Sequence, residues 1–274
     1  MNTVRVMSKN AAYQKFEVLR TNRNKRYRYG EFLVEGVRNI NQAIRNGWQF
    51  TSLLYSPETP LSRWAQEVLD IVSCDTHYQL SSNLMQELSG KTDTSELLAI
   101  LRMRPDDPAL LHDSPCPLYI LFDRPSNHGN LGSIIRSADA LGADGLILTG
   151  HGVDLYQPEV ITASMGSFFN LPAIRMADND TVFDWIARQR DLHPGFQVIG
   201  TTAHKQLNIT QVDFRLPTLL MIGNETEGLC RAFKEGCDLL ATIPMADTSS
   251  ASSFNVACAA TVMMYEVCRQ RAQE

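Results

Sequence analysis

An unbroken apolar run at residues 219–222, Leu-Leu-Met-Ile, stops at Gly223, and this junction restricts the possible folds more than any other stretch. Apolar residues without alternation suit a strand buried on both faces, and such strands belong to parallel sheets covered by helices. A second short strand, 239–243, ends at Pro244. A polar loop follows, and Ser252 or Ser253 can cap a long C-terminal helix. Two strand ends and a helix start then converge, which is where α/β proteins bind ligands.

Two common phosphate sites fail here. Residues 223–228 have the glycine spacing of a P-loop, but Leu229 and Cys230 stand where Lys and Ser/Thr are required. No Gly-x-Gly-x-x-Gly follows a strand, so a dinucleotide site lacks support.

Strands and helices alternate along the chain. Residues 13–29 read as a helix that becomes basic, 31–35 as a strand, 37–46 as a helix, 53–55 as a strand and 61–72 as a helix. A helix over 82–88 and a strand over 97–103 complete a small βαβα sandwich spanning 1–104. Four prolines and the pair Asp106-Asp107 make 105–117 the best linker. In 118–274, strands at 118–122, 145–148 and 196–201 precede the two described above, with helices between, implying a parallel sheet covered on both faces.

Charge is unevenly spread. Net charge is −5, yet residues 1–40 carry +6 and the remainder −11. That is a basic arm on an acidic body. Arg20, Arg23, Lys25, Arg26 and Arg28 crowd together with Tyr27 and Tyr29 among them. Cations attract phosphates and aromatic rings stack on unpaired bases, so these residues are the candidate nucleic-acid contacts. The alternative is a solvated helix end. Six cysteines lack metal-site spacing and are expected to be reduced, mostly buried thiols, with no metal site. No run spans a membrane and no signal-peptide core precedes the first helix, so the cytoplasm is the expected location.

A third junction, Asn127-His-Gly-Asn130-Leu-Gly-Ser-Ile-Ile-Arg136, opens a helix whose free N–H groups favour an anion. Arg136 falls roughly two turns in and can project into a cleft. Taken in order, Asn130-x-Gly132-x-x-x-Arg136, Gly223-Asn-Glu225-x-x-Gly228-Leu, Ile243-Pro-Met245 and Ser253-Phe-Asn255-Val resemble the three motifs of the SpoU (TrmH-type) branch of the SPOUT RNA methyltransferases. The resemblance covers nearly all of 118–274. Tyr29-Gly-Glu-Phe-Leu-Val-Glu-Gly36 is similar to the N-terminal substrate-binding domain of many members, which itself resembles ribosomal protein L30e.

The resemblance implies an α/β domain with a deep trefoil knot at its C-terminus, a dimer, and methyl transfer from S-adenosylmethionine to a ribose 2′-hydroxyl. The target it implies is rRNA in preference to tRNA. Motif transfer gives cofactor contacts at Thr201, Thr202, Ile222, Gly223, Asn224, Gly228, Ile243, Met245, Ser253 and Phe254. The catalytic set it implies is Asn130, Arg136, Glu225, Ser253 and Asn255. The family proposal makes Arg136 the base, but a guanidinium does not deprotonate near neutrality. Arg136 positioning RNA, with Glu225 as the rival base, is at least as consistent. Glu225 holding loop N–H groups, Ser253 capping a helix and Asn255 bracing the loops are the structural alternatives.

The sequence departs from the family pattern at three places: Asn127-His128-Gly129 replaces a frequent Asp-Pro, Thr162 sits where a basic residue is common, and the loop 246–252 is about two residues longer than usual. The first is also a variable loop in the antibiotic-resistance rRNA methyltransferases. The reading from another class is a non-catalytic RNA-binding or ribosome-assembly protein, which needs no intact polar set.

Overall fold

The computed structural model describes residues 2–91, 93–204 and 206–272. It divides into two compact units, Met1–Arg104 with Asp154–Asn170, and Pro105–Val153 with Leu171–Glu274.

The chain opens with β1 (Asn2–Val6), α1 (Ala11–Thr21), α2 (Arg23–Tyr29), β2 (Glu31–Glu35), α3 (Val37–Arg45), β3 (Phe50–Tyr55), α4 (Arg63–Ile71), β4 (Thr76–Leu80), α5 (Ser82–Ser89) and β5 (Leu97–Arg102). The strands form one mixed sheet in the order β1-β4-β3-β5-β2, parallel through β1-β4-β3 and antiparallel through β3-β5-β2. Helix α1 buries Tyr13, Phe16 and Leu19, spaced by three along one face, against Leu33, Leu54, Leu84, Leu98 and Ile100. The single helix expected over 13–29 is in fact two. Asn22 adopts an extended backbone, ends α1 and accepts Lys25 N at 3.0 Å as the cap of α2.

β6 (Leu118–Asp123), α6 (His128–Ala140) and β7 (Gly145–Thr149) begin the second unit. The stretch Asp154–Asn170, with α7 (Pro158–Ala163), then packs in the first unit. What holds it there is a buried ion pair and an aromatic cluster. Arg26 donates to Asp154 Oδ2 through Nε at 2.8 Å and Nη2 at 2.6 Å, with the two side chains 0% and 3% exposed. Its Nη1 also donates to the carbonyls of Leu19 and Arg20, both at 3.0 Å. Phe32 packs edge to face with Trp48 and Tyr156 edge to face with Phe168, the Phe32–Tyr156 and Trp48–Phe168 pairs are tilted, and Trp48 Nε1 donates to Phe169 O at 2.9 Å.

The second unit continues with β8 (Ala173–Met176), α8 (Asn179–Leu192), β9 (Gln197–Thr201), β10 (Leu207–Asn208), β11 (Thr218–Ile222), α9 (Arg231–Gly236), β12 (Leu239–Thr242) and α10 (Val256–Arg271). Its sheet runs β10-β12-β9-β11-β6-β7-β8 with every pairing parallel. One face buries Tyr119, Leu121, Ile147, Trp185, Leu219, Met221 and Phe233. On α10, Thr261 is hydrogen-bonded to Ser137 of α6 at 2.7 Å between hydroxyl oxygens. Residues 105–117, expected as a linker, pack with this unit: Leu111 enters the core, and Asp106 accepts Arg175 Nη2 at 2.9 Å.

Two sequence expectations are corrected here. The cap of α10 is neither Ser252 nor Ser253 but Asn255, whose Oδ1 accepts Ala257 N at 2.9 Å and Cys258 N at 3.3 Å. The cysteines are free thiols, but they are not mostly buried: Cys74, Cys116, Cys230 and Cys237 are half-buried, and Cys258 and Cys268, on the outer face of α10, are exposed.

Candidate active site

In a parallel sheet every strand ends on the same edge, so the loops after β6, β9, β11 and β12 meet there. The loop after β11 begins at Gly223. A Cβ at this position would lie 2.2 Å from Leu229 N and 2.3 Å from Gly228 C, so only glycine allows the chain to double back so tightly. Asn224 and Gly228 exchange two backbone hydrogen bonds across the turn, at 3.0 and 3.1 Å. The Asn224 side chain accepts Thr226 N and Glu227 N and donates to Arg124 O at 2.7 Å.

Glu225 reaches across to the loop ahead of α6. Its carboxylate accepts Ser126 N at 2.9 Å, Ser126 Oγ at 2.6 Å, Asn127 N at 3.0 Å and Asn130 Nδ2 at 3.3 Å. Burial alone would raise its pKa, but the bonds from the Ser126 hydroxyl, the nearby backbone and Asn130 outweigh that and hold it below the ordinary carboxylate value. Asn130 Oδ1 in turn accepts Asn255 Nδ2 at 3.2 Å. Glu225, Asn130 and Asn255 are therefore one connected set joining all three motifs.

Beside this set lies a cavity of about 370 Å³, within the range of roughly 300–1,000 Å³ usual for small-molecule sites. All the cofactor positions expected from sequence line it except Ile222, which is buried in β11 one residue earlier. Leu229, Ile243, Met245 and Met263 give it an apolar wall, while Thr201, Thr202, Thr242, Ser252 and Ser253 supply hydroxyls and Lys234 an amine. Such a lining suits a nucleoside-bearing ligand: a flat apolar heterocycle, sugar hydroxyls and a charged tail. S-adenosylmethionine fits that description.

Arg136 is not gathered with the others. It lies about 9 Å along α6 from Asn130 and roughly a third of a turn round the axis. It is exposed, does not line the cavity, and makes no hydrogen bond or ion pair among the described residues. Ser253 is exposed at the cavity mouth. Of the expected RNA contacts, Arg26 is a correction: it is wholly buried on Asp154 and cannot meet a ligand. Arg20, Arg23 and Lys25 are half-buried and Arg28 is exposed. Tyr27 donates its hydroxyl to Asp154 at 2.9 Å, while Tyr29 is exposed under Lys15.

Two residues escaped the sequence reading. Asp123, 2% exposed, accepts Cys230 N at 2.8 Å and Thr149 Oγ1 at 3.2 Å. Arg124 donates to Asp123, to Glu227 and to Gly228 O at 3.0 Å. A charged residue closing a buried apolar strand was the available signal, because such a charge must be paired. Among the described residues no group of three or more acidic, histidine or cysteine side chains could hold a metal.

The sequence matches the SpoU rRNA Methylase family over residues 117–265 and the SpoU L30e-like domain over 10–99. It is 45% identical over 268 residues to the 23S rRNA (uridine(2479)-2′-O)-methyltransferase of Streptomyces viridochromogenes, covering 97% of this chain and 92% of that one. It is 32% identical over 179 residues to the 23S rRNA (guanosine-2′-O-)-methyltransferase RlmB of Coxiella burnetii, covering 65% of each. The SpoU methyltransferase AviRb of S. viridochromogenes, solved with AdoMet, superimposes with a TM-score of 0.90 at 45% identity, over 96% of this chain and 98% of that one. An AdoMet-bound rRNA methyltransferase from Sinorhizobium meliloti gives 0.83 at 28% identity, over 97% and 98%.

Proposed function

This chain belongs to the SpoU rRNA methylase family, and from that premise we propose that it transfers a methyl group from S-adenosylmethionine to a ribose 2′-hydroxyl of rRNA. The observation that carries the reading is the cavity at the ends of β9, β11 and β12, adjoining the Glu225–Asn130–Asn255 set. Thr201, Thr202, Gly223, Asn224, Gly228, Ile243, Met245, Ser253 and Phe254 would hold the cofactor, with Ile222 behind them. The bound cofactor supplies an electrophilic methyl on a sulfonium, so the reaction needs no metal.

What remains for the protein is to orient the sugar for in-line attack and to manage one hydroxyl proton. Glu225 is a poor base: its oxygens are occupied by four donors and its pKa is lowered. Its role is to fix the loop 126–130 against the motif-two turn. Asn255 caps α10 and braces Asn130. Arg136, with an uncommitted guanidinium, holds an RNA phosphate and stabilises charge developing on the attacking oxygen. The proton leaves to water. Arg20, Arg23, Lys25 and Arg28, without Arg26, give the first unit its attraction for RNA.

The enzyme is a homodimer in this reading, supported by the stripe Cys258, Val262, Tyr265 and Cys268 exposed along α10. A trefoil knot at the C-terminal end of the sheet belongs to the same reading and is supported by the family match over residues 117–265. A cytoplasmic location is supported by the lack of any helix, among the described residues, long and apolar enough to cross a membrane.

The test is incubation with tritiated S-adenosylmethionine and protein-free large-subunit rRNA, followed by mapping of bonds resistant to alkaline hydrolysis. One resistant ribose is expected, with tRNA unlabelled. Labelling of tRNA alone would move the target. Absence of cofactor binding at millimolar concentration by calorimetry would leave an RNA-binding protein without catalysis.

A further inference from the structure

The first unit contains a cavity of about 350 Å³ that the proposed reaction does not use. Its floor is apolar, made by Leu33, Leu88 and Ile161, each at most 5% exposed. Its rim is polar. Arg20 lies against Gly90, where a Cβ would come within 2.1 Å of its guanidinium, so the glycine, at φ +67°, leaves room for that cation, whose Nη1 donates to Glu87 O at 3.4 Å. Glu35, at the end of β2, accepts Ser89 Oγ at 2.7 Å and Ser95 N at 3.4 Å and pairs with Lys91 at 3.0 Å, which ties these three residues to the strand end.

One lining group is left unsatisfied. Asn39 is 8% exposed, and its Nδ2 donates to Glu35 O at 2.9 Å, but its Oδ1 has no partner among the described residues. A buried amide oxygen without a donor is destabilising, because it has given up its hydrogen bonds to water. This is a cost to leave at the wall of a cavity unless a ligand supplies the donor.

We propose that this cavity takes one unstacked nucleobase of the substrate RNA, a reading that rests on RNA being the substrate. The base lies on the aliphatic floor with the Arg20 guanidinium available to stack on it or to meet its phosphate, as in single-strand recognition. Its ring or amino N–H donates to Asn39 Oδ1. Lys91 at the rim attracts the backbone. This is a recognition site in the first unit, so it governs the choice of RNA and leaves cofactor binding alone.

The test uses the full-length enzyme with protein-free large-subunit rRNA. Thr162→Trp, at an exposed lining position of α7, obstructs the cavity without removing an internal bond, and Asn39→Leu removes the acceptor. Each is expected to raise KM for RNA about tenfold, the loss of one base contact, with kcat at saturating RNA and the Kd for S-adenosylmethionine within about twofold of wild type. RNA carrying 4-thiouridine should crosslink to peptides containing residues 81–104 or 154–170, and Thr162→Trp should abolish that crosslink. An unchanged KM in Thr162→Trp with crosslinks elsewhere overturns the proposal. Wild-type enzyme that neither binds nor methylates rRNA overturns the reading beneath it instead, so the two failures are distinguishable.

Discussion

Glu225 accepts four hydrogen bonds and so stays ionised through the neutral range, which separates two roles that the sequence alone leaves open. A general base working near neutrality needs a raised pKa. Here the pKa is lowered, with burial opposed and outweighed by the Ser126, backbone and Asn130 bonds. A lowered carboxylate pKa contributes stability that is fully present above the unfolded value of about 4.3 and is lost as pH falls through the folded value. Glu225→Gln turns an acceptor-only group into one whose NH₂ faces N–H donors, so a loss of about 1–3 kcal/mol is expected at pH 7. Urea melts at several pH values should give a constant difference from wild type between about pH 5 and 8, shrinking towards pH 3. The slope of single-turnover rate against pH should match wild type. A pH-dependent limb that disappears in the variant would restore Glu225 as the base.

Helix α2 and the returning stretch Asp154–Asn170 are held together by Arg26, and the energetics of that joint belong to the elements rather than to one contact. Arg26→Ala leaves Asp154 buried without its cation, a loss of about 3–5 kcal/mol. Guanidinium melts should show that loss, and limited proteolysis should cut within 154–170 earlier than in wild type. Arg26→Met with Asp154→Leu should recover much of it, since apolar residues of similar volume replace a buried pair at little cost. Wild-type stability in Arg26→Ala would show the pair to be idle. The same joint explains what could be read from sequence. Strands β6 and β11 were legible because their apolar runs are continuous and end at glycine or a polar loop, and β2 because Glu31–Glu35 has a strand-like pattern closed by Gly36. Strands β1 and β10 and helix α9 were not, being short and largely exposed or half-buried. Arg26 reads from sequence as one more candidate RNA contact, because its partner lies 128 positions away. Asn130, Glu225 and Asn255 were legible as a group through their motifs, but the bonds joining them were not, since caps and carboxylate turns depend on backbone direction.

At the scale of the whole molecule, the proposed homodimer raises the question of which chain's cavity Arg136 serves. The guanidinium is exposed on α6, outside the cavity, while Asn130 on the same helix is tied to Glu225 and Asn255. If a dimer forms through its α10 stripe, Arg136 of one protomer can serve the cavity of the other. Gly223→Ala should abolish cofactor binding, because its Cβ collides with the backbone at Gly228 and Leu229. Arg136→Ala should bind cofactor normally and methylate poorly. Neither homodimer is then active. Co-refolding the two variants in equal amounts gives half heterodimers in a symmetric two-chain assembly. Each heterodimer holds one cavity with cofactor facing one intact arginine. Roughly a quarter of wild-type activity should return if Arg136 acts across the interface. No recovery, with heterodimers confirmed by mass, would place Arg136 at its own chain's cavity, and a monomer by sedimentation would remove the two-chain site altogether.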